Sequence, residues 1–352
     1  MIRTLIVEDS PTAQSLLTFI LSKDPDIEVI GIASNGDQAV KRIKWYRPDV
    51  VLMDYQMPIM NGLEATRLLM ESYPVPIIIV SATLNSSDVK DSFRAIEAGA
   101  VAVLQKPVGI NHPRHRQMAQ ELIRTIKLMS EIKVVRRWHN RRQNALQQKA
   151  LDGLNKNKKV QILAMGASTG GPPAIQWILR QLTDFPVPIL IVQHITPGFL
   201  DGFADWLQRT CPLNIQIAKD GAPLLPKNVY LAPDGCHLGV KRPGVSLLSD
   251  SEPENGLRPA VSFLFRSVAQ VYGQNAVGIL LTGMGKDGAK ELKLLRQKGA
   301  ITIVQDEESS VVWGMPGEAS RIGAATHTLP IEQIGRTLNE LVNCNKNALT
   351  TV

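Results

Sequence analysis

The sequence predicts an α/β fold: two doubly wound parallel-sheet domains in tandem. Three observations carry this expectation. Strand-sized apolar runs alternate with helix-period segments along most of the chain. Its 352 residues exceed what one ordinary core accommodates and suit two. A composition of 44% hydrophobic, 5% aromatic and 20% charged residues is that of a globular α/β protein.

Residues 2–7 (Ile-Arg-Thr-Leu-Ile-Val) read as a short buried strand, and similar runs recur at 27–32, 49–53, 76–80 and 101–104. Helical patterns fall between them at 11–22, 37–44, 62–71 and 88–97, and a fifth covers about 112–130. Such alternation implies βαβ units and one parallel sheet, with function at the carboxyl ends of its strands. The first domain is therefore placed at 1–130. Residues 131–159, with Arg136-Arg137-Trp138-His139-Asn140-Arg141-Arg142 and little apolar periodicity, read as a basic linker, partly helical at most. A second α/β domain, 160–345, opens with the strand Val160–Met165, a glycine turn and a helix from about Pro172 to Leu182. Further strands are expected at 188–193, 214–218, 228–231, 277–281 and 301–304, and helices at 199–209, 259–271, 287–297 and 331–342.

Charge excludes one attractive class. The net charge is +7, yet residues 107–159 hold 13 Lys/Arg against 3 Asp/Glu, leaving 26 against 29 elsewhere. The basicity belongs to the linker, and no helix-turn-helix pattern follows it, so a nucleic-acid partner is not expected. No apolar run approaches the roughly 20 residues of a membrane span, and the N-terminus meets Glu8 and Asp9 too soon for a signal peptide. Cys211, Cys236 and Cys344 form neither a disulfide framework nor a metal-ligand spacing. A cytoplasmic protein without membrane insertion is expected.

In the first domain the strand ends carry the chemistry. Glu8 and Asp9 close the first strand, Asp54 the third, Ser81 the fourth and Lys106 the fifth. Clustered carboxylates repel one another unless a hard cation lies between them, and an all-oxygen set suits Mg²⁺. With that charge neutralised, Asp54 can attack a phosphoryl donor, and Lys106 and Ser81 can bind the new phosphate oxygens. Taken singly, the Asp is as well read as a helix cap and Lys-Pro as a turn. Together, Val7-Glu8-Asp9-Ser10, Met53-Asp54-Tyr55-Gln56-Met57-Pro58, Gly62, Ser81-Ala82 and Lys106-Pro107 resemble the receiver domain of two-component response regulators, a flavodoxin-like fold, over residues 1 to about 125. The resemblance implies Asp54 as phosphoacceptor, Mg²⁺ on Glu8, Asp9, Asp54 and a carbonyl near Gln56, and a histidine kinase as phosphodonor. Val103 stands where many receivers place a switching aromatic residue.

In the second domain Gly166-Ala167-Ser168-Thr169-Gly170-Gly171 lies between a buried strand and a helix. It fits the G-x-S-x-G turn that holds a nucleophilic serine above a sheet, and it equally fits a phosphate-cradling helix start. His194 ends the strand Pro188–Gln193, and Asp287 lies in Thr282-Gly283-Met284-Gly285-Lys286-Asp287-Gly288, another strand-to-helix turn. His194 could be structural and Asp287 a plain N-cap, but three strand ends then offer a nucleophile, a base and a carboxylate. The order Ser…His…Asp differs from the Ser…Asp…His of α/β-hydrolases.

Ala167-Ser168-Thr169-Gly170-Gly171, Gln193-His194 with Pro197-Gly198-Phe199, Tyr230-Leu231-Ala232-Pro233 and Leu281-Thr282-Gly283-Met284-Gly285 resemble the Rossmann-like catalytic domain of chemotaxis-type protein-glutamate methylesterases over about 160–345. That resemblance implies a serine esterase without a cofactor for its own chemistry. Ser168 would attack the γ-methyl ester of a glutamate on methyl-accepting chemoreceptors, His194 would take the proton, and Asp287 would fix the imidazole. The backbone N–H of Met284, helped by Thr169, would bind the oxyanion. Deamidation of receptor glutamines by the same chemistry, and a receiver that covers the active site until phosphorylated, are also implied. Arg258-Pro259-Ala260-Val261-Ser262 stands where the family pattern is Arg-Pro-Ser-Val-Asp, a change read as touching the substrate groove. Two other classes compete: a non-enzymatic signalling module on a hydrolase scaffold, opposed by the complete triad, and a DNA-binding response regulator, opposed by the charge distribution.

Overall fold

The computed structural model describes residues 1–81, 93–131 and 159–347. The expected linker, but for its ends, and the first half of the helix expected at 88–97 lie outside the described residues. Contacts divide the chain into two compact units, Met1–Trp138 and His139–Val352.

The first unit is a five-stranded parallel sheet in the order β2-β1-β3-β4-β5: β1 (Ile2–Val7), β2 (Ile27–Ala33), β3 (Val50–Asp54), β4 (Ile77–Ser81) and β5 (Ala102–Gln105). Around it run α1 (Pro11–Leu21), α2 (Gly36–Tyr46), α3 (Gly62–Ser72), α4 (described over 93–98) and α5 (His115–Ser130). The core holds Leu5, Val7, Val51, Met53, Ile77 and Ile79 against Ala39, Ile43, Ala65 and Leu69 of α2 and α3. Local chemistry starts the helices where the sequence has cap residues. Ser10 Oγ accepts from Ala13 N with Pro11 in the first turn, while Asn35 and Asn61 accept from Gln38 N and Glu64 N at 2.9 Å.

The second unit is a seven-stranded parallel sheet, β14-β13-β12-β6-β7-β9-β8, with a separate antiparallel hairpin, β10-β11. Its strands are β6 (Ile162–Ala167), β7 (Ile189–Gln193), β8 (Asn214–Ile217), β9 (Asn228–Leu231), β10 (His237–Arg242), β11 (Val245–Ser249), β12 (Ala276–Leu280), β13 (Ile301–Gln305) and β14 (His327–Leu329). The helices are α6 (Gly171–Leu179), α7 (Leu200–Thr210), α8 (Val261–Val271), α9 (Ala289–Gln297), α10 (Met315–Arg321) and α11 (Ile331–Asn347). Strands β6, β7, β12 and β13 are buried along their whole length, because a parallel sheet between helices has no wet face. Strand order, not strand direction, reverses at β6: β7 is laid down on one side and β12 on the other, so a crevice opens at their carboxyl ends.

Both sheets are parallel, as expected. The sequence reading missed β10-β11, although Gly244 at φ +77° in Pro243-Gly244 is a turn between two alternating runs. It also missed α10 and β14, which are too short to show a period.

One residue works against its own backbone. Ile59, between β3 and α3, is left-handed at φ +71° and 84% exposed, so a β-branched side chain sits where glycine or asparagine belongs and gains no packing in return. Ile59→Gly is expected to stabilise the first unit by about 1 kcal/mol, the typical left-handed penalty, read as a rise in its thermal midpoint; an unchanged or lowered midpoint refutes the strain.

Candidate functional site

In the first unit the β1 and β3 ends meet because Val7 pairs with Met53, and β3 aligns Asp54 with Val80, one residue before Ser81. Lys106 follows β5, its backbone N–H donating to Ser81 O at 2.7 Å. The structure thus brings Glu8, Asp9, Asp54, Ser81 and Lys106 to one edge of the sheet. Glu8, Asp54 and Ser81 are buried and Asp9 is exposed. Lys106 Nζ bridges Glu8 Oε2 at 2.8 Å and Asp54 Oδ2 at 3.0 Å. The Glu8 contact is an ion pair without the alignment of a hydrogen bond, so this buried oxygen keeps acceptor capacity.

Burial pushes the Asp54 carboxyl up to about 6, with Glu8 adding to the rise and Lys106 opposing it. Burial pulls Lys106 down, but its contacts with Glu8 and Asp54 outweigh this and hold it above its ordinary value. Carboxylate oxygens of Glu8, Asp9 and Asp54 lie within 4.8 Å of one another, a spread that one hard cation with bonds of about 2.1 Å can gather. The donor set is all oxygen, so it fits Mg²⁺. Gly62 is required beside it: a Cβ there would strike the Asp54 carbonyl, and Gly62 N donates to Tyr55 O at 2.9 Å.

In the second unit Ser168 follows β6 and is partly exposed in a turn closed by Gly171 N donating to Ser168 O at 2.8 Å. Gly170 is left-handed there (φ +76°), with Val311 against it. The neighbouring strands supply the other turns. Ser168 N donates to Thr282 O at 3.0 Å beyond β12, and His194 N donates to Ala167 O at 2.9 Å beyond β7. His194 Nε2 lies 3.0 Å from Asp287 Oδ2. Gly283 packs so tightly on the Ser168 turn that a Cβ there would sit 2.7 Å from Ser168 Cβ. Thr282 Oγ1 donates to Thr169 O at 2.9 Å and ties the same two turns.

Asp287 is not the cap of its own helix: Gly288 takes that position before α9. Its carboxylate instead closes the start of α8, across the crevice. Oδ2 accepts from Val261 N at 2.6 Å, and Oδ1 accepts from Ser262 N at 3.1 Å and Ser262 Oγ at 2.5 Å. Burial raises the Asp287 carboxyl, but His194, Ser262 and Val261 together hold it below the ordinary carboxylate range. The reading of Ser262 as a groove residue is therefore corrected: it is buried and grips Asp287, and its Oγ also accepts from Gly288 N at 3.0 Å. Only a contact between elements 25 residues apart reveals this role, so no local pattern could have shown it.

An all-oxygen acidic pocket at one parallel sheet, and at another a serine turn with a histidine on a buried carboxylate, define a response regulator joined to a hydrolase. Comparison gives the family. Residues 163–338 match the CheB methylesterase family and residues 4–117 the response regulator receiver domain. The chain is 51% identical, over 97% of both chains, to a protein-glutamate methylesterase/protein-glutamine glutaminase of Nitrosospira multiformis, and 50% identical to one of Geobacter metallireducens over 97% of this chain and 99% of that one. The crystal structure of the Thermotoga maritima CheB methylesterase catalytic domain superposes with a TM-score of 0.51 at 39% identity, covering 52% of this chain and 99% of that domain. The chain belongs to the CheB methylesterase family. Among the described residues no helix is long and apolar enough to cross a membrane.

Two outcomes follow from the electrostatics. A carboxyl whose folded pKa is raised favours folding while protonated, and that advantage is lost as pH rises from about 4 to about 6. In metal-free buffer at pH 7.5, Asp54→Asn should stabilise the first unit by about 1–2 kcal/mol, allowing for solvent screening. The gain should shrink below pH 6 and under saturating Mg²⁺; a gain independent of both contradicts the burial. Ser262→Ala should destabilise the second unit by about 2 kcal/mol, since a buried charged acceptor loses a donor, as read by denaturant unfolding. A change below about 0.5 kcal/mol would show that the contact carries nothing.

Proposed function

We propose that this chain is a phosphorylation-activated esterase that hydrolyses glutamate γ-methyl esters on methyl-accepting chemoreceptors and deamidates receptor glutamines by the same route. The observation that carries the reading is the His194–Asp287 pair beside the Ser168 turn, in a chain half identical to proteins named for both activities.

In the proposed mechanism Ser168 Oγ attacks the ester carbonyl and passes its proton to His194. Nε2 is engaged with Asp287, so Nδ1 is the nitrogen left to receive it. Asp287 holds the tautomer and stabilises the imidazolium, and its own low pKa keeps it from taking the proton. The backbone N–H of Met284, with Thr169, faces the developing oxyanion. The C–O bond to the methoxy group breaks, and His194 returns the proton to give methanol. Water, deprotonated by His194, then cleaves the acyl-enzyme and releases glutamate. With glutamine as substrate the group that leaves is ammonia.

In the receiver, Asp54 takes a phosphoryl group from the phosphohistidine of a kinase. Glu8, Asp9 and Asp54 would hold Mg²⁺, and the ion would supply charge neutralisation between nucleophile and phosphoryl group. Lys106 and Ser81 bind the phosphate oxygens that result, and phosphorylation raises esterase activity.

The test is methanol release from methyl-labelled receptor membranes. Ser168→Ala should lower it by roughly 10⁴-fold or more with its circular dichroism intact. A small-molecule phosphodonor with Mg²⁺ should speed the whole chain but not Asp54→Ala. Retention of a tenth of the activity by Ser168→Ala defeats the triad, and a phosphodonor response in Asp54→Ala defeats the switch.

A further inference from the structure

We infer that Gln193 is a positioning residue that locks the nucleophile turn to the base turn through one amide group. Gln193 is the last residue of β7 and only 7% exposed. Its Nε2 donates to Ser168 O at 2.8 Å and to His194 O at 2.7 Å. Two carbonyl acceptors at one end of the side chain settle which end is the NH₂, since an amide oxygen there would face two other oxygens.

The geometry makes this more than a satisfied buried amide. Ser168 and His194 stand on different strands, and the strand ladder stops at Ala167 pairing with Gln193 itself. Beyond it, the two catalytic residues project on turns joined by His194 N donating to Ala167 O. Gln193 binds the carbonyl of each, so neither turn can move relative to the other without breaking one of its bonds. The position is also held at a cost. Gln193 Oε1 is buried, has no hydrogen-bond partner among the described residues, and lies against Gly171, where a Cβ would strike it. A buried acceptor left unmade is unfavourable, so the side chain is kept by what its NH₂ does. Misplacing reacting groups by about 1 Å costs on the order of 100-fold in rate, which makes such a clamp worth an unpaired oxygen.

This inference rests on the Ser168 hydrolase reading, and the experiment separates the two. The full-length chain is labelled with a fluorophosphonate, which forms a P–O bond to Ser168 Oγ and expels fluoride; the second-order rate is measured from pH 6 to 9. Absence of label transfer to wild type, or undiminished labelling of Ser168→Ala, refutes the hydrolase reading itself. Given labelling at Ser168, Gln193→Met keeps the side-chain length without donors and should label roughly 10- to 100-fold more slowly. Gln193→Glu serves if the Met variant does not fold. As an anion its carboxylate repels both carbonyls, whereas the neutral acid offers one donor, so its deficit against wild type should narrow as the pH falls. A merely structural role lowers thermal stability but leaves the labelling rate of folded protein and that pH-dependent ratio unmoved. Wild-type labelling by folded Gln193→Met, or a Gln193→Glu deficit that is absent or constant with pH, overturns the inference.

Discussion

The second unit is organised around one buried charge. Asp287 is only 3% exposed, and an isolated carboxylate there would be prohibitively unstable or protonated. It remains an anion because α8 aims its first free N–H groups at it, because Ser262 adds a hydroxyl, and because His194 faces the same oxygen as Val261. Remove that arrangement and the imidazole loses its orientation, α8 loses its cap, and the β12 turn loses its anchor on the far side of the crevice. The orientation of His194 and the initiation of α8 are here the same set of bonds.

The acidic pocket of the first unit solves the opposite problem. Its carboxylates are not fully satisfied by the protein. Lys106 bridges two of them, yet Asp54 still resists ionisation and Glu8 keeps an oxygen with spare capacity. One unit has neutralised its anion internally; the other leaves a deficit that a divalent ion can fill. Both use the carboxyl edge of a parallel sheet, where successive strands deliver residues distant in sequence to one place.

This edge explains what could be read from sequence. Residues that terminate strands, such as Asp54, Ser168 and His194, stand out because a polar group follows an apolar run, and parallel topology brings such ends together whatever their separation. What stayed hidden is tertiary. Ser262 looked like an altered surface residue, and Asp287 had a plain alternative as a helix cap, because their partners are decided by how α8 crosses β12. The short elements α10 and β14 escaped for a different reason: seven and three residues leave too little repeat to separate a period from chance.

The strand order of the second sheet also shapes how the protein comes into being. The Ser168 turn meets the turn after β12 through β6 pairing with β12, and the His194–Asp287 contact closes a loop of 93 residues. Such pairings are made late, because the entropy of closing long loops must be met before their contacts can reward it. A ribosome that has released the Ser168 and His194 turns has still to synthesise the Asp287 carboxylate that His194 meets. The nascent chain therefore carries the Ser168 turn before the His194–Asp287 contact can form, and that contact arrives together with the closed sheet.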